Sequence, residues 1–260
     1  MDDRLAMAID GLGVIAVESE AGAHWRLHFD AAATRDAAAV ALGPALRAWL
    51  DVTAVEVADD GWALKVQARL GAVRVGRVVV APPWEVTKGS DPSFTVVIEP
   101  STGFGTGHHQ STRLCLEALQ ALDLEGRRVV DAGTGSGVLA IAAVRLGASD
   151  VVGVDVDEDA VSSARRNAEL NALAGRLTLL VAELGTIGLA PADVVVANLT
   201  VGLLRRHAAT LSGLVRPGGR LIASGFTRDQ VPLVLGAFAD LALASRNDED
   251  DWVALGFRRP

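Results

Sequence analysis

Hydrophobic and polar positions follow two different patterns along this 260-residue chain, and the change falls near residue 100. The first 60 residues contain short segments that predict, in order, a helix, two strands, a helix and a strand. This order is typical of a small α+β sandwich, in which helices cover an antiparallel sheet. The predicted segments are 2–9, 13–20, 24–30, 34–50 and 52–59.

From residue 100 onward, strand-like segments alternate regularly with helical ones. Strands are predicted at "RRVVD", "VVGVD", "RLTLLVA", "DVVVAN", "GRLIASG", "ALASRN" and "DWVALGF", and helices over 112–122, 137–147, 158–170, 201–214 and 229–239. Alternation at this spacing predicts an α/β fold whose parallel sheet has right-handed crossovers. The last two strands have no helix between them, so we expect them to close the sheet as an antiparallel hairpin.

The predicted domain boundaries follow from this change of pattern. Residues 1–60 form a small α+β domain, and residues 100–260 form the larger α/β domain. Residues 61–99 are interpreted as a connector, in which Pro82 and Pro83 interrupt any regular element.

Composition narrows the class of protein. No apolar run approaches the roughly 18 residues that a membrane span needs, and the acidic start is unlike a secretory signal. Cys115 is the single cysteine, which excludes an internal disulfide and suits a reducing compartment. We therefore expect a cytoplasmic protein with no membrane partner.

The negative charge is concentrated at the amino-terminal end. The net charge is −8, and residues 1–60 carry eleven acidic residues against four arginines, which is −7. An acidic surface repels phosphate backbones, so this segment is expected to bind a basic protein and to make no direct contact with nucleic acid. The alternative is an ordinary solvated acidic surface.

A glycine ladder, "DAGTGSG", follows the first strand of the larger domain and opens a helix. Glycines here let a ligand approach the backbone closely. A dinucleotide fingerprint requires a further glycine where Val138 stands. The spacing G-x-G-x-G is instead typical of S-adenosylmethionine methyltransferases, in which the loop faces the methionine part and the nucleoside of the cofactor.

Polar residues end two further strands. Asp155 lies 22 residues beyond Gly133, where a carboxylate can accept hydrogen bonds from both ribose hydroxyls of a nucleoside. Asp157 is predicted to cap the following helix. Asn198 ends the fourth strand, where its amide can orient a substrate amine or simply form a turn.

A second glycine-rich stretch, "IEPSTGFGTGHHQSTRLCLEAL", precedes the first helix of the larger domain. It resembles the signature I-x-P-G-x-A-F-G-T-G-x-H-x-T-T of the bacterial methyltransferases that modify ribosomal protein L11. The resemblance extends over residues 58–257. It departs from the family pattern at Ser101 and Gly103, which replace glycine and alanine, and at Val66, which replaces a tryptophan. The usual first strand of the family's amino-terminal domain is also missing.

The resemblance implies a Rossmann-like, seven-stranded class I methyltransferase domain that uses S-adenosylmethionine. It implies methylation of lysine ε-amino groups, and of an α-amino group, on the ribosomal protein by a monomeric enzyme. The glycine-rich stretch 99–112 would cover the cofactor, and the glycine ladder 131–137 would form its floor. The residues implied as cofactor contacts are Phe104, Thr112, Asp131, Gly133, Gly135, Asp155 and Asn198, and Asn198 is also implied as the catalytic residue.

Other functions remain open at this point. His108 and His109 suggest a metal, but no cysteine cluster or further histidine has matching spacing, so no metal is expected. A related methyltransferase could act on another protein or on a small molecule. An NAD-dependent dehydrogenase is disfavoured by Val138 and by the absence of tyrosine, which rules out a Tyr-x-x-x-Lys pair. A non-catalytic nucleoside-binding module is disfavoured by Asn198 and by the glycine-rich stretch 99–112.

Overall fold

The computed structural model describes residues 16–20, 24–29, 32–46, 71–86, 93–99 and 108–260. The chain divides into two compact units, Met1–Trp62 and Ala63–Pro260, and each is described by itself. In the described part of the chain, no helix combines the length and the apolar character that crossing a bilayer requires.

The smaller unit contains an antiparallel hairpin and a helix. Strand β1 (Ala16–Glu20) pairs with β2 (His24–His28), and helix α1 spans Ala32–Leu46. Ala38 and Leu42 are buried because residues four apart share one face of a helix. The predicted strands 13–20 and 24–30 and the helix 34–50 are confirmed over 16–20, 24–28 and 34–46. The remaining ends 13–15, 30 and 47–50, and the predicted segments 2–9 and 52–59, lie outside the described residues.

The predicted connector contains regular structure. Strands β3 (Val73–Val75), β4 (Val78–Ala81) and β5 (Thr95–Val97) form a three-stranded sheet, with β3 antiparallel and β5 parallel to β4. Four of its valines are buried in the same hydrophobic core as the helices Gln110–Gln120 and Val138–Arg145 of the larger unit: Val75, Val78, Val80 and Val96. The sequence pattern identified Pro82 and Pro83 as breakers but missed these strands, because three- and four-residue segments carry little periodicity. The two prolines lie just after β4, and a short 3-10 turn spans Pro83–Glu85.

The larger unit is built on a seven-stranded sheet with the order β11-β12-β10-β9-β6-β7-β8. Six strands run in one direction, and β12 alone in this sheet is reversed, antiparallel to both of its neighbours, β10 and β11. The predicted parallel sheet and closing hairpin are thus confirmed. The strands are β6 (Arg128–Ala132), β7 (Asp150–Asp155), β8 (Thr178–Val181), β9 (Ala192–Asn198), β10 (Val215–Thr227), β11 (Ala242–Glu249) and β12 (Trp252–Arg258).

Helices follow the strands as the alternating pattern predicts. One difference concerns the predicted helix 201–214, which is divided at His207, where φ is −103°. Asp157 caps its helix as predicted, since its side chain accepts a hydrogen bond from the backbone N–H of Asp159. The helices are α2 (Gln110–Gln120), α3 (Val138–Arg145), α4 (Glu158–Leu170), α5 (Val201–Arg206), α6 (Ala208–Leu214) and α7 (Val231–Ala237), with a 3-10 turn at Arg228–Gln230.

Two hydrophobic clusters cover opposite faces of the sheet. Adjacent strand residues point to opposite sides, so Val129 packs with α2, α3 and the three-stranded sheet, whereas Val130 packs with α5, α6 and α7. Leu119 and Phe238 are fully buried, one in each cluster. Each such side chain contributes about 1.5–3 kcal/mol through burial. The packing holds the strand ends, and hence the residues that follow them, in fixed positions.

Candidate functional site

A cavity of about 500 Å³ lies at the carboxyl edge of the parallel strands. The ends of β6, β7, β9 and β10 meet at this edge because the strands run parallel. Strand β12 runs the opposite way, so its first residue, Trp252, pairs with Thr227 at the same edge. The cavity is lined by His109, Ser111, Thr112, Gly133, Thr134, Gly135, Val138, Leu139, Val154, Asp155, Val156, Ala182, Leu184, Asn198, Leu199, Thr200, Leu203, His207, Gly225 and Trp252.

The floor of the cavity includes a tight turn formed by residues 134–137. The backbone N–H of Gly137 donates to the carbonyl of Thr134 at 2.8 Å, which closes the turn. Gly135, at the first central position, has a φ of +52°, a conformation that side chains rarely adopt. The glycine ladder 131–137 is therefore required by the backbone of the turn, apart from any ligand above it.

Asp155 holds the turn from the end of the neighbouring strand β7. Its Oδ2 accepts a hydrogen bond from the Gly135 N–H at 2.9 Å, and its Oδ1 accepts one from the Asp157 N–H at 3.2 Å. The side chain is half-buried and lines the cavity. Each carboxylate oxygen keeps a second lone pair, so Asp155 can still accept hydrogen bonds from a ligand.

Leu199 packs into the space left by two glycines. A Cβ on Gly133 would lie 2.4 Å from Leu199 Cδ2, and a Cβ on Gly225 would lie 2.5 Å from the Leu199 carbonyl oxygen. The Leu199 N–H also donates to the carbonyl of Ser224 at 2.9 Å. Gly133 and Gly225 thus allow the residue after Asn198 to lie against two other strand ends.

Asn198 and Thr112 are brought together in the cavity from β9 and α2. The Asn198 side-chain N–H donates to Thr112 Oγ1 at 3.3 Å, although the two residues are 86 positions apart. The amide nitrogen thus faces the Thr112 hydroxyl in the structure. Within the described part of the chain, no donor is recorded for the Asn198 side-chain oxygen, which leaves this acceptor for a ligand.

His109 and Trp252 form an aromatic pair in the cavity wall. Their ring centroids are 4.3 Å apart at an interplanar angle of 77°. His109 caps α2, and its Nδ1 accepts a hydrogen bond from the Ser111 N–H, so the neutral ring carries its proton on Nε2. Burial, together with the positive charge of Arg113, lowers the pKa of His109 below its ordinary value of 6.5. The ring is consequently uncharged at neutral pH and serves as a helix cap.

Polar contacts join the tip of the β11–β12 hairpin to the start of α2. Arg113 Nε donates to the Glu249 carboxylate oxygens at 2.9 and 3.0 Å, and its Nη2 forms an ion pair with the same carboxylate. Gln110 donates to Asp250 at 3.2 Å, while Arg113 Nη1 donates to the His108 carbonyl. We name this set of contacts the hairpin latch. It holds Trp252 and the first turn of α2 in one arrangement.

Asp131 lies beneath the floor of the cavity and does not line it. Its Oδ2 accepts hydrogen bonds from Thr134 Oγ1 at 2.8 Å and from the Ala140 N–H at 3.1 Å. Its Oδ1 has no hydrogen-bond partner in the described part of the chain. Burial raises the pKa of Asp131 to about 7, although both hydrogen bonds favour the charged form. The side chain ties the turn to the first turn of α3.

The structure brings together five of the seven residues predicted to contact a cofactor. These are Thr112, Gly133, Gly135, Asp155 and Asn198, which all line the cavity. Phe104 lies outside the described residues. No cluster of three or more potential metal-ligating side chains occurs among the residues that the structure describes. Sequence reasoning missed three residues that shape the site: Leu199, Asn167 and Trp252.

Two of the three missed residues had a signal in the sequence. Asn167 and Asn171 lie four residues apart on the buried face of a helix, where unpaired amides would be costly. Trp252 lies at the start of the predicted last strand, whose reversal as the second strand of the closing hairpin brings it to the cavity. Leu199 follows Asn198 and had no signal of its own.

Sheets with this strand order, in which a reversed strand lies second from one edge, are typical of class I S-adenosylmethionine-dependent methyltransferases, and this protein is such an enzyme. A family model described as ribosomal protein L11 methyltransferase (PrmA) matches residues 19–260. The chain belongs to that family. The match reaches further toward the amino terminus than the resemblance over 58–257 did.

Individual relatives agree with this assignment. The Deinococcus radiodurans protein named ribosomal protein L11 methyltransferase is 39% identical over 221 residues, covering 78% of this chain and 79% of its own. A crystal structure of a ribosomal protein L11 methylase from Lactobacillus delbrueckii aligns with a TM-score of 0.68 and 26% identity, over 74% of this chain and all of that one. A T. thermophilus 16S rRNA methyltransferase, solved with S-adenosylmethionine and guanosine, aligns with a TM-score of 0.52 and 26% identity, over 61% of this chain and 46% of that one.

Proposed function

We propose that this enzyme transfers methyl groups from S-adenosylmethionine to lysine ε-amino groups, and to an α-amino group, of ribosomal protein L11. The proposal rests chiefly on Asn198. Its side-chain oxygen is available in the cavity, on the opposite side of β6 from Asp155. One end of the cavity can therefore bind a nucleoside while the other receives an amine. Membership of the L11 methyltransferase family supports this choice of substrate.

The residues present fit S-adenosylmethionine. At the β7–β8 side, Asp155 would offer carboxylate lone pairs to ribose hydroxyls, and apolar side chains such as Leu184 would pack against the adenine. The glycine turn leaves room for the methionine part, because Gly133 and Gly135 present only backbone. At the β9–β10 side, Asn198 faces the acceptor amine. When bound, the cofactor supplies an electrophilic methyl group on a sulfonium sulfur.

The side chains at the amine end need to do little acid–base chemistry. A free lysine has a pKa of about 10.4, so the amine must lose a proton, and desolvation in the cavity favours its neutral form. The Asn198 oxygen would accept an amine hydrogen and direct the lone pair toward the methyl group. Because the low pKa of His109 keeps its ring uncharged, that ring adds no positive charge near a cationic substrate.

The acidic amino-terminal segment is proposed to bind the protein substrate. Residues 1–60 carry a charge of −7, and ribosomal proteins are basic because they contact RNA phosphates. We propose the domains 1–60, 61–99 and 100–260 as substrate-recognition domain, connector and methyltransferase domain. The enzyme is proposed to be a cytoplasmic monomer that uses no metal and contacts neither nucleic acid nor membrane directly. The sequence is compatible with a related methyltransferase that acts on another protein or a small molecule.

Mass spectrometry tests the proposed substrate. Purified L11 is incubated with the enzyme and S-adenosylmethionine, and each modified peptide is examined for one, two and three added methyl groups. We expect trimethylated lysines, and no modification without the cofactor or with the Asn198→Ala variant. An enzyme that binds the cofactor and leaves L11 unmodified would contradict the substrate and favour the alternative.

A separate variant tests the placement of the cofactor. Asp155→Ala should weaken S-adenosylmethionine binding by roughly 10- to 100-fold, because it removes charge-assisted hydrogen bonds worth about 1.5–3 kcal/mol. Asp155→Asn keeps one acceptor oxygen and should lose less affinity. Asp159→Ala, which changes an exposed acid in the first turn of the following helix α4, is the control. Unchanged calorimetric affinity in a folded Asp155→Ala variant would refute the ribose assignment.

A further inference from the structure

Asn167 makes hydrogen bonds to two segments that lie far apart in the sequence. It lies on α4 and is fully buried. Its side-chain N–H donates to the carbonyl of Ser136 at 2.8 Å, and its Oδ1 accepts a hydrogen bond from the Glu99 N–H at 2.9 Å. One partner is a backbone acceptor and the other a backbone donor, so the orientation of the amide is fixed by chemistry.

The Ser136 carbonyl belongs to the glycine turn at the floor of the cavity. Three side chains from three elements hold this turn: Asp131 binds Thr134, Asp155 binds Gly135, and Asn167 binds Ser136. Asn167 does not line the cavity, so it can act on a ligand only through the backbone it binds, at Ser136 in the turn and at Glu99.

The position of the Ser136 carbonyl affects the whole turn. This carbonyl belongs to the same peptide as the Gly137 N–H, which closes the turn on Thr134. Gly137 also packs closely on α4, since a Cβ there would lie 3.0 Å from the Ala164 Cβ. Without Asn167, the Ser136 carbonyl would lose its side-chain donor, and the peptide could rotate to seek another. Such a rotation would move Gly135, which lines the cavity.

We propose that Asn167 is a positioning residue for the cofactor. It fixes the peptide between Ser136 and Gly137, and thereby the backbone that faces the methionine part. Through Glu99 it also holds the chain that leads away from β5 against the same turn. This inference rests on the cofactor placement proposed above, which the Asp155 variants test independently.

The same helix supplies a matched control one turn further on. Asn171 is also buried, at 3% exposure. Its Oδ1 accepts from the Val97 N–H at 2.8 Å, and its side-chain N–H groups donate to the carbonyls of Val97 and Asn167, both at 2.7 Å. It therefore makes the same kind of contacts to β5 as Asn167 makes to Glu99, but it has no recorded contact with the glycine turn.

The test compares aspartate substitutions at the two positions in the full-length protein. Asn167→Asp retains an acceptor for the Glu99 N–H and loses the donor to Ser136, while Asn171→Asp loses only donors to β5 and α4. We expect Asn167→Asp to weaken S-adenosylmethionine binding about tenfold by calorimetry, and Asn171→Asp to change it less than twofold. Thermal unfolding is measured in parallel, because both variants should lower the melting temperature.

Alanine variants at the same positions repeat the comparison without a buried charge, so the test remains decisive if an aspartate variant does not fold. Equal losses of affinity at both positions would overturn the proposal, as would a lower melting temperature with unchanged affinity for Asn167→Ala. Either result would make Asn167 a purely structural residue. Normal affinity in Asp155→Ala would instead refute the cofactor placement.

Discussion

Asn198, at the end of β9, is proposed to contribute a single oriented hydrogen-bond acceptor to methyl transfer. One amide hydrogen bonds to Thr112, and the amide oxygen is available in the cavity. The Thr112 contact prevents free rotation of the amide, so the acceptor points in a defined direction. Fixed orientation of this kind acts mainly in the transition state, where the lone pair of the amine must be aligned.

Asn198→Ala should therefore lower methyl transfer by a larger factor than it weakens cofactor binding. We expect a loss of about 100-fold in the rate of transfer and less than about tenfold in affinity. Single-turnover measurements at saturating cofactor separate the two effects. Thr112→Val, which removes only the orienting hydroxyl, should show a smaller loss of rate. Near-normal transfer by Asn198→Ala would mean that Asn198 is a turn residue.

Asp131 gives the site a pH-dependent effect on stability. Burial raises its pKa from the ordinary 3.8 to about 7 in the folded protein. Below pH 3.8 the carboxyl is neutral in both the folded and the unfolded state. Between these values the unfolded chain ionises first, so the free energy of unfolding falls as pH rises, and the loss is complete above pH 7.

Asp131→Asn should remove this dependence. The amide oxygen can replace Oδ2, which receives both hydrogen bonds, so the turn remains held. We expect the stability of the variant relative to the wild type to increase between pH 4 and 7, by on the order of 4 kcal/mol in total by pH 8. Urea unfolding across this range is the measurement, and the exposed Asp251→Asn is the control. A difference that does not change with pH would show that Asp131 is ionised in the folded protein throughout.

Among the elements, the closing hairpin does more than complete the sheet. The reversed direction of β12 brings Trp252 to the cavity, and the hairpin latch ties Glu249 to Arg113 on α2. Thr112 and His109 lie in the same part of α2 and line the cavity. The hairpin and the helix therefore form one wall on the amine side.

Breaking the hairpin latch should affect the amine side more than the cofactor side. Glu249→Ala removes a bidentate ion pair of which the side chains are about 22% and 35% exposed. Partial solvent screening leaves about 1 kcal/mol, so we expect methyl transfer to fall about fivefold while cofactor affinity changes less than twofold. The matched control is Asp248→Ala. Asp248 lies on the same hairpin, and the change breaks its ion pairs to Arg228 and Arg246. Equal effects of both changes on transfer would rule out a specific role for the latch.

In the molecule as a whole, the acidic charge and the cofactor site are carried by different parts of the sequence. The described residues that line the cavity lie between positions 109 and 252, whereas nearly all of the net negative charge lies in residues 1–60. Removing residues 1–60 should therefore leave cofactor binding within about twofold and abolish most methylation of intact L11. A short lysine peptide at high concentration should still react slowly with the truncated enzyme.

The dependence of activity on salt concentration is a second test of the proposed role of residues 1–60 in binding L11. Screening shortens the range of charge interactions to about 10 Å at 0.1 M salt and less above it, so activity of the full-length enzyme on L11 should fall as salt rises to about 0.5 M. Reaction with the lysine peptide should change less. Equal activity on L11 with and without residues 1–60 would leave the acidic charge with no role in docking.

The sequence alone determined the features that depend on residues close to one another in the chain. Positive φ values at Gly133, Gly135 and Gly137 require glycine whatever the surroundings, so the turn could be predicted from its spacing. Alternating strands and helices predicted a parallel sheet, and parallel strands end at one edge, which brought Asp155 and Asn198 to the same cavity. Asp157 was identified as a cap because capping depends on the next few residues only.

Tertiary structure decided which distant residues act together. The Asn198–Thr112 contact spans 86 positions and the Asn167–Glu99 contact spans 68, and no local pattern encodes either pairing. The three strands within 61–99 are also tertiary in origin, since segments this short are stable only when packed on a larger core. Trp252 reaches the cavity because its strand runs in reverse. Such pairs form only when the fold brings distant segments of the chain together, and packing of the hydrophobic core holds those segments in place.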